Sequence, residues 1–129
     1  MAAFLSHVTV DSRDAHAQSL FWAAVLGWAE DPDDPNEPGD EECMIASPDG
    51  SQRLLFIDVP EAKSVKNRLH LDLRPVDVPR DQELLRLLEL GAVVVEDRRR
   101  PDGSGWFLLA DPEGNEFCLL RSQAELTPR

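Results

Sequence analysis

Residues 7–27 read HVTVDSRDAHAQSLFWAAVLG, and residues 70–91 read HLDLRPVDVPRDQELLRLLELG. Each stretch opens on a histidine, His7 or His70. Each places an aspartate seven residues on, Asp14 or Asp77, then runs through a helical apolar pattern that closes in Leu-Gly. Further along stand Pro48-Asp49-Gly50 and Pro112-Glu113-Gly114. Gly27 and Gly50 are 23 residues apart, and so are Gly91 and Gly114. The histidines are 63 apart and the paired glycines 64. Four features in register, with one residue of slippage, mark an internal repeat.

Residues 4–11 and 68–74 alternate in polarity, as half-buried strands do. Val8 and Val10 oppose His7, Thr9 and Asp11; Leu69, Leu71 and Leu73 oppose His70, Asp72 and Arg74. Ser12 or Asp14 is placed to cap a helix over about 14–26, with Leu20, Phe21, Ala24 and Val25 inward. A second helix is predicted over 79–90, with Leu84, Leu87, Leu88 and Leu90 apolar. Gly27 and Gly91 sit where a helix end calls for positive φ. Short strands are predicted over 27–30, 42–47 and 53–58, then over 92–97, 105–110 and 116–121. The Pro-Asp-Gly and Pro-Glu-Gly sequences turn between the last two strands of each set. The fold class is α+β: two tandem βαβββ modules, 1–58 and 68–121, with a linker at 59–67 and a fraying tail at 122–129.

The chain of 129 residues suits one compact domain or two small fused units. Its 25 acidic and 13 basic residues leave a net charge of −12. Such a surface repels phosphate backbones and anionic lipid, which weighs against nucleic-acid and membrane partners. No apolar run approaches the ~18 residues of a membrane span. The N-terminus lacks the charged region of a secretory leader. Cys43 and Cys118 make no disulfide framework, so reduced thiols and a cytoplasmic location are the default expectation. The stretch Glu30–Glu42 holds eight carboxylates but no calcium-ligand spacing, and reads as a solvated loop.

The stretches FWAAVLGW (21–28), VPEAKSVKNRLHLDLRP (59–75) and DPEGNEFCLL (111–120) resemble the vicinal-oxygen-chelate superfamily, which includes glyoxalase I, extradiol dioxygenases and bleomycin-resistance proteins. More narrowly, they resemble its glyoxalase-like-domain subgroup. The resemblance implies a half-open eight-stranded sheet with helices on its convex side and a concave cavity between the modules. It also implies up to four metal ligands, drawn from the first and last strand of each module. His7 and His70 occupy the two first-strand positions. The second-module carboxylate position, four residues after the turn glycine, is Cys118; the same offset in the first module gives Leu54.

Leucine cannot ligate, so the usual two-histidine, two-carboxylate set is absent. No resident cofactor is expected. A divalent metal (Zn, Ni, Mn or Fe) would need His7 and His70 with Glu116, or a softer set with Cys118. Glu116 lies two residues before Cys118 and shares its face; Gln52 is the expected repeat mate of Glu116. The expected ligand-binding residues are His7, Asp11, Gln52, Leu54 and Phe56 from the first module. The second module adds His70, Asp72, Arg74, Trp106 and Cys118.

The expected function is binding of a small, partly apolar molecule in the cavity. The alternative is a lyase or other glyoxalase-type enzyme, with a divalent metal or with Glu116 and His70 as the acid–base pair. A homodimer is expected because a half-open sheet leaves edges to cover. Lys63, Lys66 and Arg68 form a basic patch in an acidic chain, read chiefly as a linker or dimer contact. Arg98-Arg99-Arg100 reads as a solvated hairpin tip, and Trp22 and Trp28 as core.

Overall fold

The structure, a computed structural model, describes residues 1–126. The described residues are α+β, with two sheets and three helices. It divides into two compact units, Met1–Ala62 and Lys63–Arg129.

In the first unit, β1 (Val8–Ser12) leads into α1 (Ala15–Leu26), then β2 (Glu42–Ala46) and β3 (Arg53–Asp58). The sheet order is β1-β3-β2, with β1 parallel and β2 antiparallel to β3. The strand expected at 27–30 is only a bridge, Ala29 to Ala46. Asp14 caps α1 by accepting from the Ala17 N–H at 3.0 Å. Asp58, at the end of β3, accepts from the first helical N–H, that of Ala15, at 2.7 Å. Gly27 ends the helix at φ 69°, a conformation that costs a side-chain-bearing residue free energy.

The buried face of α1 is Ala15, Gln18, Ser19, Phe21, Trp22 and Val25. Leu20 and Ala24, expected inside, point outward: the burial stripe is shifted by one or two residues. The helix packs on β2 and β3, over Cys43, Ile45, Leu54 and Phe56. Phe21 and Trp22 meet edge to face at 5.3 Å. Trp28 is only half-buried.

The second unit repeats the topology: β4 (Asp72–Leu73), α2 (Arg80–Leu90), β5 (Val93–Asp97), β6 (Phe107–Ala110) and β7 (Glu116–Leu119). The order is β4-β7-β6-β5, with β4 parallel to β7 and the rest antiparallel. Strand β4 is far shorter than the expected 68–74. Pro75 has no N–H to continue the ladder past that end, and at the other end Leu69, expected to share a face with Leu71 and Leu73, is 88% exposed. Phe107, Leu109, Phe117 and Leu119 share one buried face with Leu73. The Arg80 guanidinium of α2 lies 5.7 Å from the Phe107 ring on that face, and Leu87 is buried.

Residues 122–126, expected to fray, are docked. A short helix, α3 (Gln123–Leu126), carries Glu125, which accepts from the Arg80 and Ser122 N–H groups at 2.8 Å each. Residues 127–129 of the expected tail lie outside the described residues. The Arg98–Arg100 segment is not a free tip either. Arg98 stacks on Trp106 at 5.9 Å, and Arg99 on Phe107 at 4.6 Å, while Arg99 also binds Asp97 and Asp81.

Candidate functional site

The turn between β2 and β3 is one residue longer than that between β6 and β7. A one-residue change in register reverses every side chain. The ladders show the result. Thr9 pairs with Leu55, whereas Asp72 pairs with Cys118; Ala46 pairs with Arg53, whereas Ala110 pairs with Glu116. Leu55, not Leu54, therefore occupies the ladder position of Cys118. Arg53, not Gln52, occupies that of Glu116.

Leu54 and Phe56 pair with Val8 and Val10 and are 4% and 0% exposed beneath α1. They leave the sheet on the face opposite Thr9 and Asp11, which corrects their expected place beside Asp11. Gln52 is exposed in the turn, where its N–H donates to the Ser47 hydroxyl. Asp11 is exposed; His7 is half-buried, with Nδ1 at 2.9 Å from the Ser6 hydroxyl.

The second unit concentrates the chemistry. Asp72, Cys118 and Leu108 lie abreast across β4, β7 and β6, on the face opposite Phe107 and Phe117. His70 precedes Asp72 by two residues and meets it, Nδ1 to Oδ1, at 2.9 Å. Cys118 Sγ lies 3.9 Å from the same Nδ1. The two polar side chains are accessible, 41% for His70 and 48% for Asp72, while Cys118 is 6% exposed. Burial pushes the Cys118 thiol up to about 11; the charge and hydrogen bond of Asp72 push the same way, against the weaker opposition of Lys66 and Arg98. A thiol so held is protonated near neutrality and is a poor free nucleophile. Half-buried Trp106 immediately precedes β6, two residues before Leu108, with the Arg98 guanidinium 5.9 Å from its ring. Exposed Arg74 donates to the Arg121 carbonyl at 2.8 Å.

Glu116 is differently committed. Its carboxylate accepts from Lys63 Nζ and from the Asn67 N–H, each at 2.8 Å. Burial raises its pKa, but these two donors outweigh burial and bring it from an ordinary 4.5 to about 2. A group so acidic carries no proton to deliver near neutrality. Lys63, read in the sequence as part of a linker patch, is thus half of a clamp. Its partner lies 53 residues away, and only the tertiary fold reveals it.

The donor chemistry does not fit the family's usual metal. A thiol stands at the second-module carboxylate position, a leucine at the matching ladder position of the first unit, and Glu116 is taken by two donors. His70, Asp72 and Cys118 remain. Their ligand atoms all lie within 4.8 Å of one another, the one His/Cys/Asp/Glu group of three or more so placed among the described residues.

A family model for a glyoxalase-like domain matches residues 7–120. No curated protein matches. Solved structures do: the fosfomycin resistance protein FosX of Listeria monocytogenes in its tetragonal form has a TM-score of 0.71 at 17% identity, covering 100% of this chain and 97% of that one. FosX of Mesorhizobium loti gives 0.65 at 20%, covering 93% and 92%. A glyoxalase/bleomycin resistance protein/dioxygenase family enzyme of Burkholderia phytofirmans PsJN gives 0.66 at 21%, covering 91% and 97%. A mutant of the Listeria protein was solved with Mn(II) and 1S,2S-dihydroxypropylphosphonic acid. At these identities the likeness establishes the fold.

Proposed function

The chain belongs to the glyoxalase-like domain family of the vicinal-oxygen-chelate superfamily, and from that premise we propose that it binds a small, partly apolar molecule without the family's two-histidine, two-carboxylate metal set. The observation that carries this proposal is the mixed strip on the second sheet. Exposed His70 and Asp72 meet each other beside Cys118, with Leu108 next across the sheet and half-buried Trp106 just before the strand that carries Leu108. Leu108, Cys118 and Trp106 supply apolar contact, with the indole as a stacking surface. The Asp72 carboxylate fixes the His70 ring, which gives the ligand one oriented polar anchor.

Calorimetry in the presence of a chelator, over a panel of small hydroxylated, phenolic and phosphonate compounds, tests this. His70→Ala and Trp106→Ala are each expected to weaken the best ligand by about tenfold, roughly 1.4 kcal/mol, with little change in melting temperature. Unaltered affinity in both would move the site elsewhere.

One observation favours a second reading, a glyoxalase-type enzyme: the His70–Asp72 hydrogen bond is the arrangement that orients an imidazole base. The base is then His70 and not Glu116, so turnover would be lost in His70→Gln and kept in Glu116→Gln. Self-association accompanies either reading. Val93, Val94 and Val95 stand exposed on the edge strand β5, and light scattering is expected to give twice the 14.4 kDa of the chain.

A further inference from the structure

We propose that Glu116 is a positioning residue: through the backbone of Asn67 it shapes the loop 68–70 and so sets where the His70 imidazole stands. The proposal rests on the reading of His70 as the ligand's polar anchor, and adds the group that holds that anchor in place.

The β4–β7 register reveals the loop. Asp72 stands opposite Cys118, so a straight continuation upstream would set His70 opposite Glu116. The chain leaves the ladder before that point. Its last backbone bond to β7 is made by the Leu71 carbonyl, which accepts from the Cys118 N–H at 2.9 Å. The next bond upstream goes to a side chain instead: the Asn67 N–H donates to Glu116 Oε2 at 2.8 Å. Glu116 and Cys118 are two residues apart on one face of β7, a rise of about 7 Å. The four-residue step from Asn67 to Leu71 can span about 13 Å. The surplus chain arches outward, and Arg68, Leu69 and His70 are all exposed. The arch delivers the His70 ring to Asp72 Oδ1 at 2.9 Å and to Cys118 Sγ at 3.9 Å.

The upstream end of the arch depends on Glu116. Of residues 61–70, Lys63 and Asn67 alone are half-buried, and both donate to that carboxylate. Among the described residues, Glu116 is the one hydrogen-bond partner that segment 63–69 has outside itself. The Lys63 stem runs beside the Gly114 turn, where an added Cβ would meet its Cδ at 3.9 Å. The two donors do different things. Lys63 offsets the charge of a carboxylate that is only 13% exposed, whereas the Asn67 bond fixes the backbone three residues before His70. A glutamine at 116 keeps an acceptor for Asn67 and loses the ion pair; an alanine loses both.

Carbon-13 labelling of the histidines in the full chain tests the role without any ligand. His7, His16 and His70 give three imidazole Cε1–H signals, assigned with His7→Gln, His16→Gln and His70→Gln. At one fixed pH, Glu116→Ala is expected to shift the His70 signal well beyond its linewidth and to leave those of His7 and His16 in place. Amide exchange at Asn67 should speed up about tenfold or more. Glu116→Gln is expected to keep the wild-type His70 signal and the Asn67 protection. Circular dichroism verifies folding; should Glu116→Ala fail that check, Glu116→Asp, whose carboxylate is withdrawn by one methylene, takes its place with the same expected shift. An unmoved His70 signal in the folded variant, equal displacement of all three histidines, or a glutamine variant that behaves like the alanine one would overturn the proposal. A His70 signal that responds to Glu116→Ala while no hydroxylated, phenolic or phosphonate compound binds sinks the ligand reading alone. Binding that is weakened by His70→Ala, with a His70 signal indifferent to Glu116→Ala, sinks the positioning role alone.

Discussion

Leu54 stands opposite Val8 in the parallel β1–β3 ladder, and that pairing commits its side chain to the face covered by α1. Its neighbour Leu55, opposite Thr9, leaves by the other face and is only half-buried. Leu54→Ala is expected to cost about 2–4 kcal/mol in urea unfolding, because it removes transfer energy and leaves a cavity. Leu55→Ala should cost less than half as much. Equal losses would mean that the β1–β3 register is wrong.

The Glu116 clamp predicts a specific acid sensitivity. Its folded pKa, about 2, lies below its ordinary 4.5. It therefore contributes stability that is complete above about pH 4.5 and fades as the pH falls toward 2. Glu116→Gln should lower stability at pH 7 by about 1–2 kcal/mol, and the gap between variant and wild type should narrow across that interval. A gap that stays constant down to pH 2 would remove Glu116 as its cause.

Each unit closes its main helix with a carboxylate from beyond its own last paired strand position or at its end: Asp58 on Ala15, Glu125 on Arg80. The two are not equally replaceable. Asp14 still caps α1 when Asp58 is lost, whereas Pro79 offers α2 no side-chain cap. Asp58→Ala is expected to cost about 1 kcal/mol, and Glu125→Ala more, toward 2 kcal/mol. Amide exchange in the first turn of α2 should accelerate in Glu125→Ala and stay unchanged in Asp58→Ala.

Gly105 has φ +93° and a position where any Cβ would run into the Arg98 carbonyl. Gly50 has φ +74° with open space around it. Gly50→Ala should cost about 1 kcal/mol from backbone strain alone. Gly105→Ala should cost distinctly more, since the carbonyl it strikes is backbone and yields little. Thermal melts of the pair check the ranking.

Much of the fold is legible in the sequence because it is written locally. Strict alternation marks β1, and Leu-Gly marks both helix ends to within a residue. What fails locally is what depends on pairing. The sequence shows Gly50 and Gly114 as equivalents but not which residue of the longer turn is the extra one, so Leu54 and Phe56 fall on the wrong face. The His70–Asp72–Cys118 group is half visible: His70 and Asp72 alternate together, but only the parallel β4–β7 ladder brings Cys118 to them. The Lys63 and Asn67 partners of Glu116 arrive from a segment with no periodicity to read. Leu20 misleads because an exposed leucine on a helix obeys no rule that sequence alone can apply.

The docking of Glu125 has a practical corollary for anyone expressing the chain. A boundary drawn at the last strand, Leu119, looks natural from the sheet but strips the start of α2 of its acceptor. Shortened versions that stop there would melt from the Arg80 end first. Affinity handles fused at that terminus belong on a spacer long enough to leave Ser122 through Leu126 undisturbed.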